Sequence, residues 1–93
     1  MIDDVSFLES YIKQLIPTIT VFQNTTDEAE VELDVQNEPG RPLSFIRVLL
    51  TRENAAALRR DHDLASRVVA TLRGALEGPS DEPEAVLDLR QAL

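Results

Sequence analysis

The sequence predicts an α+β domain in which helices cover one face of a three-stranded antiparallel sheet. Residues 29–36 alternate strictly between apolar and polar side chains, which is typical of a strand with one buried and one solvent-facing side. Residues 4–16 and 64–77 repeat apolar side chains at helical spacing. Three strand-like segments follow one another with short polar turns, and consecutive strands of this kind usually pair as a meander. The predicted order is α-β-β-β-α-α, with an uncertain C-terminal element.

The first half of the chain supplies the first helix and all three strands. The apolar residues of that helix fall on one face: Val5, Leu8, Ile12 and Leu15. Pro17 ends the helix, because a residue that precedes proline avoids the α-helical region. The segment 18–23 is rich in β-branched and aromatic residues. The segment 43–50 is apolar on both sides apart from Ser44 and Arg47, which favours a central strand.

Two helices follow the third strand. Thr51 stands where an N-cap is expected for a helix over 52–60. An Asp-His-Asp run at 61–63 interrupts the helical pattern, so we expect one of its aspartates to cap the next helix. That helix ends before the Gly-Pro pair at 78–79, a typical C-terminal stop.

The C-terminal residues 84–93 fit two structures. Pro83 follows two acidic residues and precedes Ala, Leu, Arg and Gln, and this composition favours a short helix, which we predict. The alternation of Ala85, Leu87 and Leu89 would also suit a strand. The predicted organisation is a single compact domain over 1–78, followed over 79–93 by a linker and a short C-terminal helix or tail.

Composition bounds the class of protein. The 93 residues suffice for one domain, and with 43% hydrophobic and 28% charged residues the chain is typical of a folded globular protein. Cysteine is absent, which excludes disulfides and thiolate chemistry. No apolar run approaches the roughly 18 to 20 residues that span a bilayer, and the chain opens with acid, so we expect a cytoplasmic protein. Eight arginines against one lysine suggest a bacterial or phage source.

The formal net charge of −8 is distributed unevenly along the chain. Residues 1–40 carry nine acids and one base, whereas residues 41–78 carry four acids and seven arginines. Residues 79–93 carry four acids and one arginine. Such asymmetry points to charged contacts with a partner more than to any property of the fold.

An acidic run on and before the second strand is the candidate partner-binding site: Asp27, Glu28, Glu30, Glu32 and Asp34. These carboxylates fit three interpretations. They could be the solvated face of a strand, where like charges discourage edge pairing. They could perform acid–base chemistry or bind a divalent cation, although the loop lacks the ligand spacing of an EF-hand. They could also form an acidic stripe that docks a basic partner.

The remaining candidates are His62 and the arginines of the two later helices. His62, between two aspartates, could be a general base or a metal ligand, but no nucleophile or further ligand set accompanies it, and an exposed turn histidine fits equally well. The arginines could contact phosphates, pair with the acidic strand or make a head-to-tail self-contact. No nucleic-acid motif supports the first of these, and we expect no direct nucleic-acid binding.

These observations predict a small acidic protein-binding or regulatory module without enzymatic activity, cofactor or metal, of the adaptor, chaperone, immunity-protein or inhibitor type. A protein partner is expected, and a homodimer is possible. One alternative is a structural subunit of a homo-oligomer, in which the two-sided apolar strand 43–50 is covered by another copy. The other alternative is a small enzyme that uses the carboxylates and His62.

Overall fold

The computed structural model describes residues 3–24 and 30–91, and this part of the chain forms an α+β fold with three helices and a four-stranded mixed sheet. The elements in chain order are α1 (Asp4–Leu15), β1 (Thr20–Asn24), β2 (Glu30–Gln36), β3 (Phe45–Thr51), α2 (Arg52–Arg60), α3 (His62–Glu77) and β4 (Glu84–Asp88). The predicted fold class is therefore confirmed. None of the described helices has the length and apolar character needed to cross a bilayer.

Helix α1 begins and ends where local chemistry requires. Asp3 is the N-cap, and its carboxylate accepts a hydrogen bond from the Ser6 backbone N–H at 2.7 Å. This contact satisfies one of the N–H groups that a helix leaves unpaired at its start. Ile16, directly before Pro17, leaves the helical conformation with φ −129° and ψ 79°. One face of the helix is buried through Val5, Leu8 and Ile12.

A tight corner joins α2 to α3. Thr51 and Asn54 form a capping box at the start of α2, in which each side chain accepts a hydrogen bond from the other residue's backbone N–H. Asp61 ends α2 and also caps α3, where its carboxylate accepts from the Leu64 N–H at 3.1 Å. The expectation that an aspartate of this run caps the second helix is thus confirmed, and α3 begins at His62.

The sheet has the order β1-β2-β3-β4. Strands β1, β2 and β3 pair antiparallel, as the predicted meander requires. The fourth strand corrects the prediction at the C-terminus, because residues 84–88 form β4 and not a short helix. β4 pairs in parallel with β3 after the crossover through α2 and α3, so the sheet is mixed.

Pairing and burial together explain why residues 84–88 are extended. As a strand, they supply hydrogen-bonding partners for the edge of β3, which would otherwise stay unpaired. The same conformation directs Ala85 and Leu87 towards the core and leads into Leu89, which is 4% exposed. An isolated helix of this length is marginal in water, so its propensity is overridden by these long-range contacts.

A single core lies between the helices and one face of the sheet. The strands contribute every second residue to it, and the largest fully buried side chains come from both layers: Ile12, Leu33, Ile46, Leu50, Leu58, Leu72, Val35 and Val48. The two-sided apolar strand that the sequence indicated is β3, whose Ile46, Val48 and Leu50 are buried while Phe45 and Leu49 are half-buried on the opposite face.

The connection between β2 and β3 is fixed to the end of α3. The Asn37 side-chain amide donates to the backbone carbonyls of Leu43 and Leu76, at 2.7 and 2.9 Å, and its side-chain oxygen accepts from the Glu38 N–H. Gly40 adopts φ 91°, a left-handed conformation that glycine enters without steric cost. This turn therefore sets the distance between the sheet and the C-terminal end of α3.

Candidate interaction surface on the open sheet face

The helices cover one side of the sheet, and we call the other side the open face. Its residues alternate with those of the core and, by the strand register, line up in rows from β1 to β4. The rows are Phe22, Asp34, Arg47 and Val86; Asn24, Glu32, Leu49 and Asp88; and Thr20, Gln36, Phe45 and Glu84. Glu30 extends the acidic series at the start of β2.

The described part of the predicted acidic stripe lies on the open face. Glu30, Glu32 and Asp34 follow one another on the same side of β2, because successive outward residues of a strand are two positions apart. Asp27 and Glu28, which complete the predicted site, lie outside the described residues. β2 is an inner strand, so the stripe occupies the middle of the sheet.

Two of these carboxylates have partners from other parts of the sheet layer: Glu32 on the neighbouring strands β1 and β3, and Glu30 just after the end of β4. Glu32 accepts a hydrogen bond from the Asn24 side-chain amide at 3.2 Å and forms an ion pair with Arg47, with 3.3 Å between Nε and Oε1. Glu30 lies 3.4 Å from an Arg90 guanidinium nitrogen. Arg90 is held mainly by Asp88, and this interaction lowers the pKa of the Asp88 carboxyl to about 2.

Asp34 differs from its neighbours because one carboxylate oxygen has no partner. Its Oδ1 is buried and accepts no hydrogen bond from any residue that the structure describes. Burial raises the pKa of Asp34 above its ordinary value, and the nearby Glu32 carboxyl raises it further, while Arg47 acts in the opposite direction. The centre of the open face therefore contains a carboxylate whose charge is poorly compensated.

Apolar side chains, which were not predicted from the sequence to lie here, flank the acidic stripe. Phe22 is 54% exposed on one edge strand, and Val86 is 63% exposed on the other. Phe45 and Leu49 lie half-buried between them. Because side chains alternate along β1, the sequence could have predicted that Phe22 faces away from the core if Val21 faces towards it. The position of Val86 could not be predicted in this way, because it depends on the long-range pairing of β4.

The open face as a whole is acidic. It carries five carboxylates (Glu30, Glu32, Asp34, Glu84 and Asp88) and two guanidinium groups (Arg47 and Arg90), which gives a formal charge of −3. Acidic groups interleaved with exposed apolar side chains suit a partner that presents cations beside apolar groups.

A cleft of about 300 Å³ lies at the β3–β4 side of the open face. It is lined by Phe45, Arg47, Glu82, Glu84, Ala85 and Val86. The Arg47 guanidinium stands 6.0 Å from the centre of the Phe45 ring. The Phe45 ring thus lines the cleft together with two exposed residues just before and at the start of β4, Glu82 and Glu84.

His62 lies in the helical layer and not with the acidic stripe. It is exposed at the start of α3, and its ring meets the edge of Tyr11 with centroids 5.8 Å apart. A shallow depression of about 490 Å³ at the corner between α2 and α3 is lined by Ala57, Arg60, Asp61, His62, Asp63 and Leu64. The structure therefore does not bring His62 together with Glu30, Glu32 or Asp34.

Two arginines of the later helices, Arg59 and Arg73, contact α1. Arg59 forms an ion pair with Asp4 at 3.2 Å and stacks over the Phe7 ring, 4.8 Å from its centre. Arg73 donates a hydrogen bond to the backbone carbonyl of Leu15. Glu30 and Glu32 form ion pairs with Arg90 and Arg47, neither of which lies on a helix, so the interpretation that helix arginines pair with the acidic strand is wrong for these two residues.

Comparison of the chain with protein-family models, curated proteins and solved structures gives no match. Within residues 3–24 and 30–91, no three side chains of His, Cys, Asp or Glu converge in a way that could hold a metal ion.

Proposed function

We propose that this chain is a non-enzymatic binding module, of the adaptor, chaperone, immunity-protein or inhibitor type, that docks a basic protein through its open face. The observation that carries the proposal is the position of Glu30, Glu32 and Asp34 in the middle of a sheet face that none of the described helices covers. Acidic residues on an edge strand would be explained without a partner, because like charges there discourage pairing with other sheets.

Three properties of the open face support this function. Its formal charge of −3 attracts a cationic surface and increases the rate of encounter. The exposed rings and aliphatic groups of Phe22 and Val86 supply apolar contact area on both sides of the stripe. The Asp34 carboxylate is half-buried, and its Oδ1 has no hydrogen-bond partner among the described residues, so a cationic group docked on the open face would compensate a poorly solvated charge.

The experiment compares capture by three forms of the tagged protein from a lysate of the source organism after nuclease treatment. The open-face variant Glu32→Gln/Asp34→Asn removes two negative charges from β2. The matched control Glu53→Gln/Glu77→Gln removes the same charge from exposed positions on α2 and α3. We expect a basic protein that wild type and control retain and that the open-face variant loses.

Binding of that protein should also become weaker as salt increases, chiefly through a slower association rate. The proposal is contradicted if the captured proteins are the same for all three forms, if capture requires nucleic acid, or if nothing is captured. In the last case, a melting midpoint that rises with protein concentration would favour the homo-oligomeric subunit instead.

A further inference from the structure

Within residues 3–24 and 30–91, β4 pairs along only one of its two edges. The Phe45 N–H donates to the Pro83 carbonyl at 3.1 Å, and the Leu89 N–H donates to the Leu49 carbonyl at 2.7 Å. In a parallel ladder every second residue of a strand bonds to the same neighbour. Together with the register that aligns Ile46 with residue 85, these contacts direct the backbone of the odd-numbered residues of β4 towards β3.

The even-numbered residues of β4 consequently turn their backbone N–H and C=O groups to the outer edge of the sheet: Glu84, Val86 and Asp88. Their side chains lie on the open face, and all three residues are exposed. An edge strand with outward-facing donors and acceptors is a template for another extended segment, and proteins use such edges to bind peptides by adding a strand.

We propose that β4 receives an extended segment of the partner as a fifth strand of the sheet. The segment would carry basic side chains opposite Glu84 and Asp88, and an apolar side chain opposite Val86. This inference rests on the proposed function and specifies how the basic partner is held.

Charge and shape at one end of β4 define the basic position of that segment. Glu82 and Glu84 are exposed, and they border the 300 Å³ cleft together with Phe45 and Val86. The aliphatic stem of an arginine or lysine can pack along Phe45 and Val86 while its charged end reaches the glutamates. Asp88, at the other end, is already paired with Arg90, so the Glu84 end supplies most of the attraction.

The same charges disfavour a second copy of this chain as the added strand. Antiparallel pairing of two β4 strands about Val86 would place Glu84 of each copy directly opposite Asp88 of the other. Like charges that face each other across strands destabilise the pair. A basic segment instead places an opposite charge at both positions, so the added strand belongs to a basic partner and not to a second copy of this chain.

The test uses a seven-residue peptide with arginine at its second and sixth positions, valine at the fourth and threonine elsewhere, capped at both ends. Binding to the isotope-labelled protein is followed by NMR of the backbone amides, which detects even millimolar affinity. We expect the Val86 amide to become protected from hydrogen exchange, because it donates to the added strand.

Two N-methylated forms of the peptide separate strand addition from charge attraction. When the peptide adds antiparallel to β4 with its valine opposite Val86, the amides of the arginines and the valine face β4, so methyl groups on these amides block the hydrogen bonds and binding should be lost. Methyl groups on the amides of the intervening threonines, which point away from β4, should leave binding unchanged. Side chains and charge are the same in both forms.

Variants of the protein test the same contact from the other side. Val86→Pro removes an outward-facing N–H from an edge strand, where proline is tolerated, and should weaken binding by at least about tenfold, whereas Val86→Thr keeps that N–H, gives up only the apolar contact of one methyl group, and should bind clearly more tightly than Val86→Pro. Glu84→Lys should weaken binding without touching the backbone, and the control Glu77→Lys on α3 should not. This second pair decides the question if Val86→Pro does not fold.

The outcomes distinguish this inference from the proposed function. If both methylated peptides bind equally and the shifted amides surround Asp34, docking on the open face stands and strand addition is wrong. If no form of the peptide binds, strand addition is also wrong, while the proposed function is judged by the capture experiment with the Glu32→Gln/Asp34→Asn variant. Selective loss with the blocked peptide and with Glu84→Lys supports strand addition.

Discussion

Asp34 carries a hydrogen-bonding requirement that the fold does not meet. Its two cross-strand neighbours on the open face are Phe22 and Arg47, and its same-face neighbours along β2 are Glu32 and Gln36. The first cannot accept or donate a conventional hydrogen bond, and the Arg47 guanidinium pairs with Glu32. The result is a carboxylate that loses hydration without gaining a full set of partners, and its pKa is raised.

Replacement of Asp34 by asparagine should therefore stabilise the fold. Because the pKa of Asp34 is raised in the folded state, its favourable contribution is present below its ordinary value of 3.8 and is lost as the pH rises through the folded-state value. We expect Asp34→Asn to increase the free energy of unfolding by about 1 kcal/mol at neutral pH. The gain should disappear in acid below pH 3.8.

Urea denaturation of both proteins across this pH range measures the difference. Asp81→Asn serves as the control, since Asp81 is exposed in the connection before β4, and it should change stability little at any pH. An Asp34→Asn protein with the same pH dependence as wild type would show that the carboxylate is adequately solvated in the folded state.

The alternation along β2 was sufficient to predict that Glu30, Glu32 and Asp34 share one solvent-facing side. It could not distinguish Asp34 from the other two, since that distinction comes from strands far away in the sequence. Glu32 gains Asn24 and Arg47 as partners only once β1 and β3 are in register. The sequence shows directly which residues are charged, whereas the solvation of each charge depends on residues that are distant along the chain.

At the scale of elements, Asn37 connects the β2–β3 turn to the end of α3. Its amide donates to two backbone carbonyls, and the Leu76 carbonyl is among those that a helix end leaves unpaired. Asn37→Ala should lower the free energy of unfolding by about 1 to 3 kcal/mol, because both carbonyls lose a donor in a half-buried place.

Asn37→Asp should cost more than Asn37→Ala, since a carboxylate at this position faces two carbonyl oxygens and has no hydrogen to donate. Thermal and urea denaturation measure both effects. Ser44→Ala in the same connection is the control, because the Ser44 side chain is exposed and only its backbone accepts from the Asn37 N–H. Equal stability of Asn37→Asp and wild type would contradict the assigned hydrogen bonds.

β4 shows where prediction of elements from this sequence failed. Elements with strong local signals were found within a few residues: the periodicity of α1 and α3, the Pro17 stop, the Thr51 cap and the alternation of β2. Residues 84–88 carry a mixed signal, and helix propensity alone gave the wrong answer. What decides their conformation is the unpaired edge of β3, which no local window contains.

At the scale of the whole molecule, charge is separated between layers. The open face is acidic, whereas two of the helix arginines, Arg59 and Arg73, are engaged with α1 in the other layer. Two open faces would therefore repel each other. We expect the chain to unfold with a midpoint that does not change over about a hundredfold range of protein concentration.

Calorimetry or circular dichroism at several concentrations, together with sedimentation velocity, makes this measurement. Sedimentation in high salt is the control, because screening would reveal an association that charge repulsion opposes. A midpoint that rises with concentration at ordinary salt would contradict the expectation and would favour the homo-oligomeric subunit.

Asp34 also creates a conflict between robustness and recognition. If the open face binds as proposed, the Asp34 carboxylate lowers the stability of the unbound protein but strengthens its binding to a cationic partner. Selection for thermal stability alone would then favour replacement of this carboxylate, and the selected variants would be more stable but would bind the partner more weakly. In a library of variants, selection for thermal stability and selection for partner capture would therefore favour different residues at position 34, and the difference should be larger there than at other positions.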